Sequence, residues 1–252
     1  MGIINLTPDS FAQDGLYAQP SKALRRARAM VREGADIIDV GAESTRPGHA
    51  QISVDEELSR LVPVLQRLRS ALDVPLSVDT YKYEVARAAA DLGADMINDV
   101  WGLERSPQIA DLAAQRGLAL TLMHNRTGTT TGDLMADINQ GLQGCLDRAL
   151  RAGVARDRIL LDPGIGFGKA WEQNYETLRR LPEMRSLGQP VLVGTSRKSF
   201  IGRLLDLPVE RRIFGTAASV AVAVVMGADV VRVHDVAQMC QVIRVADRVV
   251  RP

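Results

Sequence analysis

The chain has 252 residues, 46% of them hydrophobic and 24% charged, with a formal net charge of +1. This length builds a full core, the balanced charge excludes a basic nucleic-acid surface, and no apolar run reaches the ~20 residues of a membrane helix. The longest apolar stretch, residues 217–226, reads as a buried helix. No secretory leader is read at the start. Cys145 and Cys240 have neither metal-site nor disulfide spacing and read as buried free thiols, which suits a cytoplasmic protein.

The first strand is predicted at 2–5, at the very beginning of the chain. The loop Asn5-Leu6-Thr7-Pro8-Asp9-Ser10-Phe11 follows, with the residues of a turn and a helix cap. A helix at 24–31 has a basic face from Arg25, Arg26, Arg28 and Arg32, and a strand at 37–40 comes next. The loop Gly41-Ala42-Glu43-Ser44-Thr45-Arg46-Pro47-Gly48 packs more chemistry together than a turn needs. Arg46 there suits a bidentate contact with phosphate or carboxylate. A helix at 54–72 has Leu58, Leu61, Val62, Leu65 and Leu68 at helical spacing.

The strand at 75–79 ends in Asp79. A carboxylate closing a buried apolar run needs a partner: the N–H edge of a flat heterocycle, or the amides of the next helix as a cap. A helix at 83–92, a strand at 96–98, a helix at 109–115, a strand at 119–123 and a helix at 134–152 follow. The strand at 159–162 runs into Asp162-Pro163-Gly164-Ile165-Gly166-Phe167-Gly168-Lys169. This is not a P-loop, because Pro163 takes the first glycine position and Ala170 the Ser/Thr position. Its glycines read as letting backbone pass close to a ligand. After a helix at 174–181 and a strand at 191–194, Thr195-Ser196-Arg197-Lys198-Ser199 reads as a helix start. Basic residues there oppose the helix dipole, so an anion or a polar ligand edge is the expected reason. A helix at 213–226, a strand at 230–233 and a helix at 236–249 complete eight strands and eight helices.

Gly-Ala-Asp occurs three times, at Gly34, Gly93 and Gly227, each time between a helix and an apolar strand. The spacings fit strand–helix units of roughly 30 residues, which predicts a single-domain (β/α)8 barrel over 1–252 in preference to an open doubly wound sheet. The chemistry of such a barrel lies at the C-terminal ends of its strands. Those ends are Asn5, Asp39, Asp79, Asn98, His124, Asp162, Thr195 and Arg232, a ring of polar groups. Arg232 and His234, two apart, face the same way. The sequence has no zinc motif and no Ser-His-Asp set.

In this order the segments at 2–11, 41–48, 77–80, 97–100, 162–169, 196–202, 214–217 and 232–236 resemble the dihydropteroate synthases, the barrel enzymes of folate biosynthesis. The resemblance spans the chain, with Ala42 in place of a usual second glycine and without the lead-in that family members carry before this strand. It implies a Mg²⁺-dependent transferase that condenses 6-hydroxymethyl-7,8-dihydropterin diphosphate with para-aminobenzoate, releasing pyrophosphate. It further implies catalytic roles for Asp79, Asp162, Lys198 and Arg46, and pterin diphosphate contacts from these and from Thr45, Asn98, Arg232, Val233 and His234. Phe11, Thr45, Pro47 and Ser199 match positions around the aminobenzoate, and Asn5 the metal position. A homodimer built on the late helices is implied as well, and Asp39 gains no ligand role. The rival readings are a pterin-binding methyltransferase, which has no use for a diphosphate grip, and a non-catalytic paralogue.

Overall fold

The computed structural model describes residues 1–7, 19–44, 50–130 and 132–251, and in it each Gly-Ala-Asp ends a helix. Gly34, Gly93 and Gly227 have φ of 104°, 84° and 102°, a left-handed conformation in which a side chain is strained. The next alanine is buried, and its N–H turns back to a helix carbonyl: Ala35 to Met30 at 2.9 Å, Ala94 to Ala89 at 3.0 Å, Ala228 to Ala223 at 2.9 Å. Orphan carbonyls of the last turn are satisfied in this way. The aspartate has a separate task. Asp95 accepts from the amide of Leu76 at 2.8 Å and Asp229 from that of Val191 at 2.9 Å, so each pins the start of a neighbouring strand.

The strands are β1 (Gly2–Asn5), β2 (Ile38–Gly41), β3 (Leu76–Asp79), β4 (Met96–Asp99), β5 (Ala119–Met123), β6 (Ile159–Asp162), β7 (Leu192–Val193) and β8 (Val230–Val231). β1 to β6 form one parallel ladder in chain order, and β7 pairs with β8. Parallel bridges from Leu161 to Val191 and from Gly2 to Val233 join the two sheets on both sides. The fold is thus the expected (β/α)8 barrel. The last two strands are shorter than predicted, ending at Val193 and Val231, although the Arg232 amide still donates to the Val193 carbonyl at 3.0 Å.

The helices are α1 (Pro20–Arg32), α2 (Val54–Arg69), α3 (Tyr83–Asp91), α4 (Gln108–Arg116), α5 (Leu134–Arg151), α6 (Trp171–Arg179), α7 (Ser199–Leu205), α8 (Ile213–Val225) and α9 (Val236–Val250). The described residues therefore carry one helix more than the eight predicted, the short α7. Local chemistry sets their starts: Ser53 caps α2 by accepting from the Glu56 amide at 3.1 Å, and Asp133 caps α5 through the amides of Met135 and Ala136.

Strand alternation divides the barrel into layers. Ile4, Val40, Val78, Ile97 and Leu120 share one register row and pack outward against the helices. Burying each such side chain contributes about 1.5–3 kcal/mol. The two flanking rows face the interior. The lower holds Ile3, Asp39, Ser77, Met96 and Ala119; the upper holds Asn5, Gly41, Asp79, Asn98 and Thr121. Met1 and Leu192, with Leu160 and Val230, pack on Met96 of the lower row and plug the bottom of the barrel. Polar groups thus gather toward the mouth, with Asp39 and Ser77 the polar members of the lower row.

Two expectations need correction. α8 is not buried throughout: Val220, Ala223 and Val224 face the core, while Phe214, Val222 and Val225 are exposed, Phe214 to 85%. Cys240 on α9 is only half-buried, whereas Cys145 on α5 is buried and its thiol is pushed up to about 11 by that burial. Among the described residues no helix is long and apolar enough to cross a membrane.

Candidate active site

The upper row opens a cavity at its own centre. Between Asn5 and Asp79 it places Gly41, and a Cβ there would stand 3.4 Å from the Cβ of Asp79. The missing side chain leaves room over the barrel floor. The cavity is lined by Asn5, Thr7, Glu43, Ser44, Asp79, Phe167, Gly194, Ser196, Lys198, Arg232 and His234, with Ile3 beneath.

Arg232 rises from the end of β8 and is shared by two carboxylates. Its Nε donates to Oδ2 of Asp39 at 2.7 Å, and its Nη2 donates to Oδ2 of Asp79 at 2.8 Å. Burial alone would lower the guanidinium's pKa, but Asp39 and Asp79 more than offset it and raise it. Asp79 keeps Oδ1 buried and without a hydrogen-bond partner, as does Asp39. Burial lifts the Asp79 carboxyl to about 7, with Arg232 pulling the other way. Asp79 does not cap α3; Thr80 supplies the local contact, its Oγ1 accepting from the Lys82 amide at 3.2 Å. Asn98 is buried beside Asp79 in the same row.

Asp162 is buried at the end of β6, and its Oδ1 accepts from the Gly164 amide at 2.7 Å. Burial raises its pKa, opposed by Lys198. Lys198 donates to the carbonyl of Ile165 and lies 4.9 Å from the centre of the Phe167 ring. Burial lowers its pKa to about 8, with Asp162 opposing. Its neighbour goes elsewhere. Arg197, at φ 58°, turns outward to Asp235, with Nε to Oδ2 at 2.9 Å. The basic pair is thus split, one cation for the cavity and one for an ion pair. Thr195 and Ser196 cap nothing: α7 starts at the exposed Ser199, Thr195 accepts from Ser219 on α8 at 3.0 Å, and Ser196 turns to His234.

At the rim, Nδ2 of Asn5 lies 3.3 Å from Nε2 of His234, and Nδ1 of His234 lies 2.9 Å from Oγ of Ser196. An amide nitrogen can only donate, so Nε2 accepts and the ring proton sits on Nδ1, toward Ser196. The Asn5 carbonyl oxygen is then the group suited to a hard cation. Among the described residues no group of three or more His, Cys, Asp or Glu could hold a metal. Arg26 of α1 donates to the His234 carbonyl at 2.8 Å and fixes the backbone there. Val233 is engaged on both sides with β1, its N–H to Met1 and its carbonyl to Ile3.

Of the expected residues, Asn5, Asp79, Lys198, Arg232 and His234 converge on the cavity; Asn98 and Asp162 are buried beside its walls, and Ser199 stands outside at the start of α7. Phe11, Thr45, Arg46 and Pro47 lie outside the described residues. The ring of strand ends is incomplete, because Thr195 and His124 face the helices; a Cβ on Gly141 of α5 would stand 2.7 Å from the His124 ring. Two glycines of 162–169 make room for neighbouring protein. A Cβ at Gly164 would collide with the His124 carbonyl oxygen, and one at Gly168 would stand 2.6 Å from that of Arg126.

Two residues escaped sequence reasoning. Asp39 anchors Arg232. Glu43 gathers the Tyr81 hydroxyl at 3.0 Å, the Ile52 amide at 3.3 Å and the Lys82 ammonium at 2.7 Å, tying residues 43 and 52 to the end of β3. Only its crowded loop hinted at such a role.

The parallel barrel holds buried carboxylates, a lysine and an arginine around the cavity at its mouth, and the model of the family described as "Pterin binding enzyme" matches residues 1–234, so the chain is a pterin-binding barrel protein. The dihydropteroate synthase of Clostridium beijerinckii is 46% identical over 252 residues, covering 100% of this chain and 94% of the relative. The crystal structure of the Clostridium difficile dihydropteroate synthase in the presence of pteroic acid superposes with a TM-score of 0.95 at 45% identity, covering 100% of this chain and 96% of that one. The Xanthomonas albilineans enzyme with 4-aminobenzoic acid gives 0.93 at 41%, covering 100% and 93%. The chain belongs to the dihydropteroate synthase family.

Proposed function

We propose that the protein condenses 6-hydroxymethyl-7,8-dihydropterin diphosphate with para-aminobenzoate to give 7,8-dihydropteroate and pyrophosphate. The observation that carries this reading is the buried, unpartnered Oδ1 of Asp79, a residue that lines the cavity together with Lys198. A pterin offers a row of N–H donors along one ring edge and acceptors along the other. Asp79, with Asn98 and Asp162, receives the donors; Lys198 meets the other edge.

The methylene C–O bond breaks first, and its electron pair leaves with the diphosphate. Positive charge spreads from the methylene into the ring, where Asp79 and Asp162 stabilise it through a water-poor environment. His234 and the guanidinium of Arg232, which line the cavity, meet the departing anion, with Arg46 and Thr45 as its further contacts; the expected main-chain contact from Val233 is not available, because its N–H and carbonyl are both spent on the first strand. The aminobenzoate nitrogen, positioned by Phe11, Thr45, Pro47 and Ser199, then forms the C–N bond and sheds a proton to solvent. No protein nucleophile is needed. Asn5 is the residue that would hold Mg²⁺ through its amide oxygen; the ion supplies charge neutralisation on the diphosphate.

The partner of the exposed apolar face is a second copy of the chain. Leu204, Leu205, Phe214 and Val222 of α7 and α8 are exposed together, and α7 and α8 also line an apolar groove with Tyr175 and Phe200. We place this homodimer in the cytoplasm.

The deciding experiment supplies purified protein with the pterin diphosphate, Mg²⁺ and labelled para-aminobenzoate. Labelled dihydropteroate is expected, lost on chelation and restored by Mg²⁺. Folded protein that makes no product would sink the reading.

A further inference from the structure

Two lysines grip the loop between β6 and α6 from opposite sides. Lys198 takes the carbonyl of Ile165. Lys169 donates to the carbonyls on either side of it, Gly164 at 3.0 Å and Phe167 at 3.2 Å, and its ammonium lies 3.4 Å from Nδ1 of His124. Three carbonyls of one turn thus accept from two cations, and that of Gly164 also takes the Phe167 amide at 3.0 Å.

Lys169 is not among the residues that line the cavity. It lies behind the loop, where the loop rests on residues 124–126. The His124 amide donates to the Asp162 carbonyl at 2.9 Å, and a Cβ at Gly164 would approach both the His124 carbonyl and, at 3.2 Å, the Lys169 ammonium. Burial, with Lys169 beside it, pushes His124 down to about 4, so its ring is neutral and Nδ1 accepts from the lysine. The far side of that ring lies 3.6 Å from Asp137, which takes Nη1 of Arg126 at 2.7 Å. The base under the loop is therefore held from below as well.

What the loop presents to the cavity is set by this clasp. Phe167 turns its ring into the cavity, and Lys198 stands over that ring. Both depend on where the main chain of residues 164–167 lies.

We propose that Lys169 is a positioning residue for the ring-binding wall. By holding the Gly164 and Phe167 carbonyls against His124, it fixes the loop that places Phe167 and gives Lys198 its anchor at Ile165. The proposal rests on the pterin-site reading above, and Lys169 acts in it only through Lys198 and Phe167.

The test compares the full chain with Lys169→Met and Lys169→Gln. Each is measured for thermal melting, 6-hydroxymethylpterin affinity by calorimetry, KM for both substrates, and amide exchange over residues 163–168. In Lys169→Met, pterin affinity is expected to fall roughly tenfold, the scale of one charge-assisted hydrogen bond. KM for the pterin diphosphate should rise in parallel, kcat should fall less, and exchange should quicken within the loop. Lys169→Gln keeps a donor for one carbonyl and should recover part of the loss; it also replaces the Met variant if that fails to fold. A lower melting temperature with unchanged pterin affinity and loop exchange would overturn the proposal. So would a defect confined to the aminobenzoate KM. Should the wild type itself bind no pterin, the pterin reading falls, and the exchange comparison alone decides whether Lys169 clamps the loop.

Discussion

Asp79 gives Arg232 only one of its two oxygens. Oδ2 accepts from Nη2 at 2.8 Å, while Oδ1 is buried without a partner. An ion pair whose only purpose was stability would use both. The free oxygen and a carboxyl lifted by burial to about 7 describe an acceptor kept ready for a donor that arrives with the ligand.

The first prediction follows from that carboxyl. Only its ionised form accepts two N–H bonds, so pterin affinity should strengthen as pH rises through about 7 and fade below it. Asp79→Asn should abolish this limb and weaken binding roughly 100-fold at pH 8, the scale of two charge-assisted bonds. Calorimetric titration with 6-hydroxymethylpterin from pH 5.5 to 8.5 reads both effects, and a flat wild-type profile would contradict the assignment. Linkage gives the matching sign for the free protein. The folded pKa lies above the unfolded value of 3.8, so the folded state holds the proton more tightly, and this group's contribution to stability falls as pH rises from about 4 to about 7.

Asp39 supports Arg232 from below and is wholly buried. Removing its charge leaves a buried guanidinium with Asp79 alone. Asp39→Asn should therefore destabilise the fold by about 3 kcal/mol, the cost of breaking a buried pair, read as a lower urea midpoint with an unchanged slope. A change below about 0.5 kcal/mol would mean that Asp79 alone suffices as the counter-ion.

Much of this was legible in the sequence, and the limits have a physical pattern. Gly-Ala-Asp revealed the helix ends because their requirements are local: a left-handed glycine and an alanine whose amide turns back to the helix. Asp79, Asp162 and Asn98 were readable because polar groups closing apolar runs are costly. Asp39 looked the same but could not be given a role, since its partner Arg232 is 193 residues away. Arg197 and Lys198 looked like one basic pair, and a single left-handed residue sends them to different places. His124 and Thr195 stand at strand ends yet point outward, a matter of strand phase that short apolar runs do not fix.

The cluster below the second loop makes a third prediction. Lys82 joins two buried glutamates, Glu43 at 2.7 Å and Glu57 at 2.8 Å. Burial would lower the Lys82 pKa, but the two carboxylates outweigh it and raise it; burial raises that of Glu57, with Lys82 opposing. Lys82→Met leaves both carboxylates without their cation and should cost about 3–5 kcal/mol at pH 8. The deficit should shrink toward pH 5, because Glu57, whose pKa burial raises, no longer needs the partner once protonated. Tyr81→Phe removes one bond to Glu43 and should cost only about 1 kcal/mol. Denaturant unfolding at the two pH values separates these outcomes, and a pH-independent Lys82→Met deficit would point to lost packing instead.

The last prediction concerns the apolar face of α7 and α8. Leu204 is 58% exposed, Phe214 85% and Val222 42%, and the groove beside them is lined almost entirely by carbon. A patch of this kind on a lone chain is a site of association. In a homodimer related by a two-fold axis the same residues meet their own copies, so one charge introduced per chain appears twice at the interface. Val222→Asp should therefore shift the mass measured by light scattering from twice the 27.4 kDa chain to the chain alone. Circular dichroism should stay that of the intact barrel, because Val222 lies on the side of α8 away from the core residues Val220, Ala223 and Val224. A wild type of single-chain mass, or a Val222→Asp variant that keeps the doubled mass, would place the partner elsewhere.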